Sequence, residues 1–127
     1  MDKVSGRPDF VALLYPVITL EPPHGHQASR QNLLGASPSP DAIARLSAEK
    51  MVTSATPPVF LVHTNEDRSV PAENSILFYQ ALRRASVPVE LHIYDKGPHG
   101  FGTRKDLGAT SGWTDRLVEW LKALEAR

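Results

Sequence analysis

The sequence predicts an α/β domain with a three-stranded parallel sheet and flanking helices, in the order strand, helix, strand, helix, strand, helix. Two apolar runs are continuous and a third alternates, and stretches with helical spacing separate them. This alternation of elements favours parallel strands joined by right-handed crossovers. The 127 residues are enough for one domain with a modest core, so we take residues 1–127 as a single domain.

The first predicted strand covers residues 10–18, which are almost all apolar. Continuous apolarity is typical of a strand that is covered on both faces, as in a parallel sheet. A polar, proline-rich loop is predicted from Glu21 to Pro40. It contains His24 and His26, which could bind a metal ion, but no third ligand lies nearby and two solvated loop histidines are the simpler interpretation.

A short helix is predicted next, with Ser39 as its N-cap and Pro40 at its first position. Its apolar side holds Ile43 and Leu46, and the proline-rich residues 53–58 end it. The second strand is predicted from Val59 to Thr64, another continuous apolar run that we expect to be buried.

The last three elements show clearer periodicity. A helix is predicted over residues 72–85, with an apolar stripe formed by Ile76, Leu77, Ala81 and Leu82. The third strand, Val89 to Asp95, alternates apolar and polar residues, which places it near a sheet edge with one wetter face. A final helix is predicted over residues 112–126, with an apolar face formed by Trp113, Leu117, Trp120, Leu121 and Leu124.

Two chemically active side chains follow adjacent predicted strands. Asp67 comes after the second strand, and His99 comes after the third, within the glycine-rich loop 96–102. Because ligands gather at the carboxyl ends of parallel strands, we expect Asp67 and His99 to meet at one rim. There Asp67 would orient the imidazole, which is the base half of a nucleophilic triad. The alternatives are a helix-capping Asp67 and a solvated His99, and Phe101 could either line the rim or hold the loop.

Residues 60–75 and 97–102 closely resemble the α/β-hydrolase superfamily, and residues 15–18 and 29–35 also look like it. The nearest likeness is to its carbohydrate-esterase and lipase-like branch, which includes acetylxylan and feruloyl esterases. The resemblance implies a partial α/β-hydrolase fold, hydrolysis of small acyl esters and no cofactor. It also implies that Asp67 is the acid of the triad and His99 its base.

The chain departs from this family in two respects. It has no Gly-x-Ser-x-Gly motif for a nucleophilic serine and no glycine-rich oxyanion loop. The nearest imitation is the segment 35–39, in which Ser37 and Ser39 are weak candidates, and Ser111 is better interpreted as a helix cap. We therefore predict the C-terminal half of a serine esterase without its nucleophile. The alternatives are an inactive truncated domain or one fragment of a longer esterase.

Composition sets the remaining expectations. Lys+Arg and Asp+Glu are 14 each, so nothing favours a nucleic-acid or membrane partner. The chain has no cysteine, and its longest apolar run, residues 10–20, is too short to span a bilayer. The first residues do not resemble a signal peptide, which makes a cytoplasmic location the default expectation. An unpaired edge on the first strand predicts a homodimer that continues the sheet.

Overall fold

A computed structural model describes residues 4–126, so that the first three residues of the N-terminal stretch lie outside it. The architecture is a three-stranded parallel sheet in the order β1-β2-β3, with helices on both faces, as predicted. The strands are β1 (Val11–Leu14), β2 (Val59–Thr64) and β3 (Val89–Tyr94). The helices are α1 (Gln27–Leu34), α2 (Pro40–Arg45), α3 (Glu73–Arg84) and α4 (Trp113–Glu125). Short 3₁₀ turns cover Ala48–Lys50 and Gly108–Gly112.

The central strand, β2, is buried along its whole length, as its continuous apolarity predicts. It separates two apolar clusters. The cluster on the α3 side is formed by Ile18, Val59, Leu61, Phe78, Leu82 and Val87. The cluster on the α4 side is formed by Phe60, Val62, Phe101, Trp113 and Trp120. Because successive β2 side chains point to opposite faces, one strand supplies both cores.

The first strand is shorter and less buried than predicted. It covers only Val11–Leu14 and all four residues are half-buried, whereas residues 10–18 were expected to be covered on both faces. Tyr15 ends it, because its φ of 41° lies in the left-handed region, which extended chain cannot use. Within residues 4–126, β1 pairs on one side only, with β2, so its other edge is free.

The third strand lies at the other edge of the sheet, as predicted, but it has no wetter face. All six of its residues are half-buried. Val89 and Leu91 pack against the α3-side cluster. On the opposite face, the His92 ring lies 5.3 Å from that of Phe60, and Tyr94 packs against the α4-side cluster.

The predicted loop from Glu21 to Pro40 contains a helix that the sequence did not indicate. The sequence of α1, QASRQNLL, lacks the apolar periodicity by which helices are recognised, and accordingly none of its residues is fully buried. Its N-cap is His26, whose Nδ1 accepts a hydrogen bond from the Ser29 backbone N–H. Gly35, with a φ of 84°, ends it.

The other helices agree with the predictions except in detail. Ser39 caps α2 by accepting a hydrogen bond from Ala42 N, but Leu46 is exposed instead of packing. In α3, the buried face centres on Phe78, and the predicted Ile76 and Leu77 are half-buried. Within the described part of the chain, no helix is long and apolar enough to cross a membrane.

Asn74, at the start of α3, ties the segment after β1 to the rest of the domain. Its Oδ1 accepts hydrogen bonds from Ile18 N and Thr19 N, at 2.9 and 3.0 Å. Its Nδ2 donates to His24 O and Pro71 O, at 2.9 and 3.1 Å. The side chain is fully buried, and all four of its hydrogen-bonding positions are used.

Candidate active site

The loop after β2 places the Asp67 carboxylate at the carboxyl rim of the sheet. Its Oδ1 accepts hydrogen bonds from Ser69 N at 2.9 Å and from Val70 N at 2.8 Å. Burial of the side chain disfavours its charge. The hydrogen bonds from Val70 N, His99 and Ser69 N outweigh this cost, and the pKa of Asp67 is lowered. Asp67 is therefore a buried, ionised and firmly oriented hydrogen-bond acceptor.

The loop between β3 and the Gly108–Gly112 turn is held on both sides of His99. Before it, Thr64 Oγ1 donates to Gly97 O at 2.6 Å, and Gly97 has a φ of 131° that favours glycine. After it, Trp113 Nε1 donates to Gly102 O at 2.7 Å. Phe101 is 1% exposed, so it holds the loop to the core and does not line the rim.

Asp67 and His99 are in contact, as their positions after adjacent parallel strands predict. The distance from His99 Nδ1 to Asp67 Oδ2 is 2.7 Å. An ionised carboxylate only accepts, so Nδ1 carries a proton and Nε2 keeps its lone pair. The side chain of His99 is 36% exposed while that of Asp67 is fully buried. This arrangement can withdraw a proton from a group that approaches Nε2.

Tyr15 contacts His99 from the end of β1. Its ring lies edge-on to the imidazole, with 4.8 Å between the ring centroids, and at the same distance from Phe101. The left-handed backbone of Tyr15 is unusual for a residue with a side chain, and such strained conformations cluster at functional sites. Tyr15 thus packs against the His99 ring, a contact that the sequence does not reveal.

A second histidine lies behind Asp67. His63, in β2, is fully buried, and its Nε2 is 3.2 Å from Asp67 Oδ2 and 2.9 Å from Val70 O. Its Nδ1 is 2.8 Å from Ser75 Oγ in α3. Burial is the main reason that the pKa of His63 is lowered, although Val70 O and Asp67 oppose this. The only sequence signal for this residue is a polar side chain inside an otherwise apolar strand.

The serines that could act as a nucleophile are placed elsewhere. Ser39 caps α2, Ser37 is exposed between α1 and α2, and Ser111 Oγ accepts from Leu107 N. Ser111 therefore does not cap α4, which begins after Gly112 without a side-chain cap. In the part of the chain that the structure describes, no serine hydroxyl is hydrogen-bonded to His99.

The two loop histidines have separate surroundings. His26 caps α1, and the backbone oxygen of His24 accepts a hydrogen bond from Asn74. Among residues 4–126, no group of three or more His, Cys, Asp or Glu side chains is arranged to bind a metal ion.

Comparison with known proteins gives a family match over most of the chain. The model of the prolyl oligopeptidase family matches residues 26–125. The chain is 40% identical over 124 residues to endo-1,4-beta-xylanase B of Butyrivibrio fibrisolvens, covering 98% of this chain and 19% of that protein. It is 37% identical, over an alignment of 134 residues, to an acetylxylan esterase of Xylanibacter ruminicola, covering 99% and 27%.

Among solved structures, an acetyl ester-xyloside bifunctional hydrolase from Caldicellulosiruptor lactoaceticus superposes with a TM-score of 0.90 and 44% identity. The match covers 94% of this chain and 43% of that one. The chain therefore spans less than half the length of these similar proteins.

Proposed function

This chain belongs to the prolyl oligopeptidase family of α/β-hydrolases, and we propose that it supplies the base and the orienting acid of an ester hydrolase. One observation supports this proposal above all others: the 2.7 Å hydrogen bond from a partly exposed imidazole, His99, to a fully buried carboxylate, Asp67. If His99 were only a solvated surface residue, it would not be bonded to a buried carboxylate. If Asp67 were only a helix cap, it would not be bonded to a histidine.

In the proposed reaction, a hydroxyl oxygen attacks the carbonyl carbon of the ester. His99 Nε2 takes the hydroxyl proton as the new carbon–oxygen bond forms, and Asp67 stabilises the resulting imidazolium. The imidazolium then gives this proton to the oxygen of the leaving alcohol as its bond to the acyl carbon breaks. A second round with water releases the acid and restores the hydroxyl.

The attacking hydroxyl is proposed to come from outside these 127 residues, from a second chain or from further sequence of the same protein. Ser37, Ser39 and Ser111 are not hydrogen-bonded to His99, and the Gly-x-Ser-x-Gly motif is absent from the sequence. The 127 residues alone would then use water and would also lack oxyanion donors. Loss of a single such donor lowers the rate by about 10²–10³-fold, so we expect weak turnover by the chain alone.

The proposed substrate class is small acyl esters, with acetyl groups on xylan as the first candidate. This choice rests on the similarity of the chain to an acetylxylan esterase and to an acetyl ester-xyloside bifunctional hydrolase. A glycosidase would instead need two carboxyl groups flanking an open cleft, about 5–9.5 Å apart. Asp67 is buried against His99 and is not available for that role.

The test is the hydrolysis of 4-nitrophenyl acetate and of acetylated xylan by the wild-type protein and by His99→Gln. We expect His99→Gln to abolish the enzymatic rate. His24→Gln is the matched control, because His24 is a half-buried histidine in the loop before α1. This substitution should leave the rate of hydrolysis unchanged. Equal rates for wild type and His99→Gln would reject His99 as the base. Fluorophosphonate labelling of a serine within these residues would reject an external nucleophile.

A further inference from the structure

One oxygen of Asp67 lies between two histidines. Oδ2 is 2.7 Å from His99 Nδ1 on the exposed side and 3.2 Å from His63 Nε2 on the buried side. The side chains of Asp67 and His63 are both fully buried. The proposed reaction uses the first of these contacts and leaves the second without a purpose.

The partners of His63 define its protonation state. Its Nε2 is 2.9 Å from Val70 O, and since a carbonyl oxygen only accepts, Nε2 carries the proton. Its Nδ1 is 2.8 Å from the Ser75 hydroxyl, which is free to donate to it. Burial also lowers the pKa of His63, which favours the neutral ring. The result is a neutral imidazole in a single tautomer whose N–H donates to Val70 O and lies beside Asp67 Oδ2, 3.2 Å from Nε2.

We propose that His63 is a positioning residue that acts on the reaction through Asp67, an inference that rests on the proposed function. Its N–H holds Oδ2 towards His99, so that the carboxylate cannot turn away when the imidazolium forms. The same N–H withdraws charge from Oδ2 and makes Asp67 a weaker partner for the imidazolium. His63 thereby adjusts the pH range in which the base is active as well as its geometry.

Few charged groups complicate this coupling. The titratable groups that act on the His63 ring are Asp67 and, beyond it, His99. From α3, the contact to the ring is made by the uncharged Ser75 hydroxyl. The neighbouring carboxylate of Glu66 is exposed and bonds to Lys96 Nζ and Gly97 N instead.

The first test observes the ring nitrogens of both histidines by ¹⁵N NMR of the wild-type protein between pH 5 and pH 8. We expect His63 to stay neutral with its proton on Nε2. We also expect its resonances to shift at the pH at which the His99 ring titrates, because both share Oδ2. A proton on Nδ1 of His63, or no response to the His99 titration, would overturn the inference. This measurement involves no ester, so it decides the coupling even if the protein hydrolyses none.

The second test compares ester hydrolysis by His63→Leu, which removes the N–H, with His63→Gln, whose amide can restore it. A hydrogen bond to a charged group corresponds to roughly a 10–100-fold effect. We therefore expect kcat of the leucine variant to fall by about 10–100-fold at constant KM, and the midpoint of its acid limb to move to higher pH. The glutamine variant should recover both.

The control is His92→Gln, which alters a half-buried histidine on β3. The ring of His92 is bonded to Glu90 and not to Asp67, so the substitution should change neither quantity. A leucine variant with wild-type kcat and an unchanged pH profile would overturn the inference. If that variant does not fold, the glutamine variant and the NMR titration still decide it. Absence of ester turnover in the wild type would reject the proposed function, separately from the coupling.

Discussion

Replacing Asp67 with asparagine is expected to reverse the hydrogen bond that orients His99. Oδ1 of Asp67 accepts from Ser69 N and Val70 N, so these donors hold the amide oxygen of the variant in that position. The amide nitrogen then faces His99 Nδ1, where the carboxylate had been 2.7 Å away. Two N–H groups cannot bond, and His99 therefore moves its proton to Nε2, where the free lone pair is needed.

The expected loss of stability in Asp67→Asn depends on which hydrogen bonds of Asp67 the variant keeps. The two backbone hydrogen bonds remain, whereas the imidazole N–H groups lose their charged acceptor. A hydrogen bond to a charged group contributes about 1.5–3 kcal/mol, and the His99 side can partly re-form with the opposite polarity. We expect the free energy of unfolding to fall by about 2–3 kcal/mol. We expect kcat to fall towards the rate of His99→Gln, because the imidazole is held in the wrong tautomer.

The titration of Asp67 itself should make its stabilising contribution depend on pH in one direction. The pKa of Asp67 in the folded protein lies below its ordinary value, so the folded state binds its proton less readily than the unfolded state. Its stabilising contribution is complete above the unfolded pKa of about 3.9 and is lost as the pH falls through the folded pKa. The part of the difference between wild type and Asp67→Asn that comes from the carboxylate charge is therefore expected to shrink below pH 4.

The assay combines urea unfolding at several pH values with 4-nitrophenyl acetate hydrolysis and ¹⁵N NMR of the His99 ring. Asp95→Asn is the control, because Asp95 is an exposed carboxylate on the loop that follows β3. It should change the free energy of unfolding by less than about 0.5 kcal/mol. The reasoning is refuted if His99 keeps its proton on Nδ1 in Asp67→Asn, or if the two variants lose the same stability.

Three further predictions concern the support of the site and the free edge of the sheet. Asn74→Ala should lower the free energy of unfolding by about 4 kcal/mol, since four buried hydrogen bonds contribute about 1 kcal/mol each. Urea unfolding checks this, with the exposed Gln80→Ala as the control. A loss for Asn74→Ala no larger than that for Gln80→Ala would contradict the prediction. Trp113→Phe removes the donor to Gly102 O, so hydrogen exchange in the loop 97–102 should accelerate at a cost of about 1 kcal/mol, and unchanged exchange would contradict it. The free edge of Val11–Leu14 is expected to pair with a second copy, and a light-scattering mass equal to one chain over the whole concentration range would exclude the dimer.

Hydrophobic periodicity was enough to predict the elements that bury an apolar face. The strand Val59–Thr64 and helices α3 and α4 appear within a residue or two of their predicted bounds. The meeting of Asp67 and His99 was predictable for a related reason. Parallel strands place their carboxyl ends at one rim, so residues that follow adjacent strands become neighbours without any knowledge of side-chain packing.

Elements that depend on single contacts could not be predicted in this way. Helix α1 buries no residue completely and begins at a histidine N-cap, which no residue-type preference indicates. Strand β1 stops at Tyr15, whose left-handed backbone contradicts its local preference and is maintained by its surroundings.

The sequence by itself determined the order of the elements, the parallel sheet and the pairing of an acid with a base, because these follow from periodicity and chain direction. Only the tertiary structure decided how that pair is supported. It placed His63 behind Asp67, Tyr15 against His99 and Phe101 in the core. The contacts of Tyr15 join residues more than 80 positions apart, and His63 meets Asp67 only because the chain turns back after β2. The geometry of all these contacts depends on distances of a few tenths of an ångström that no local pattern encodes.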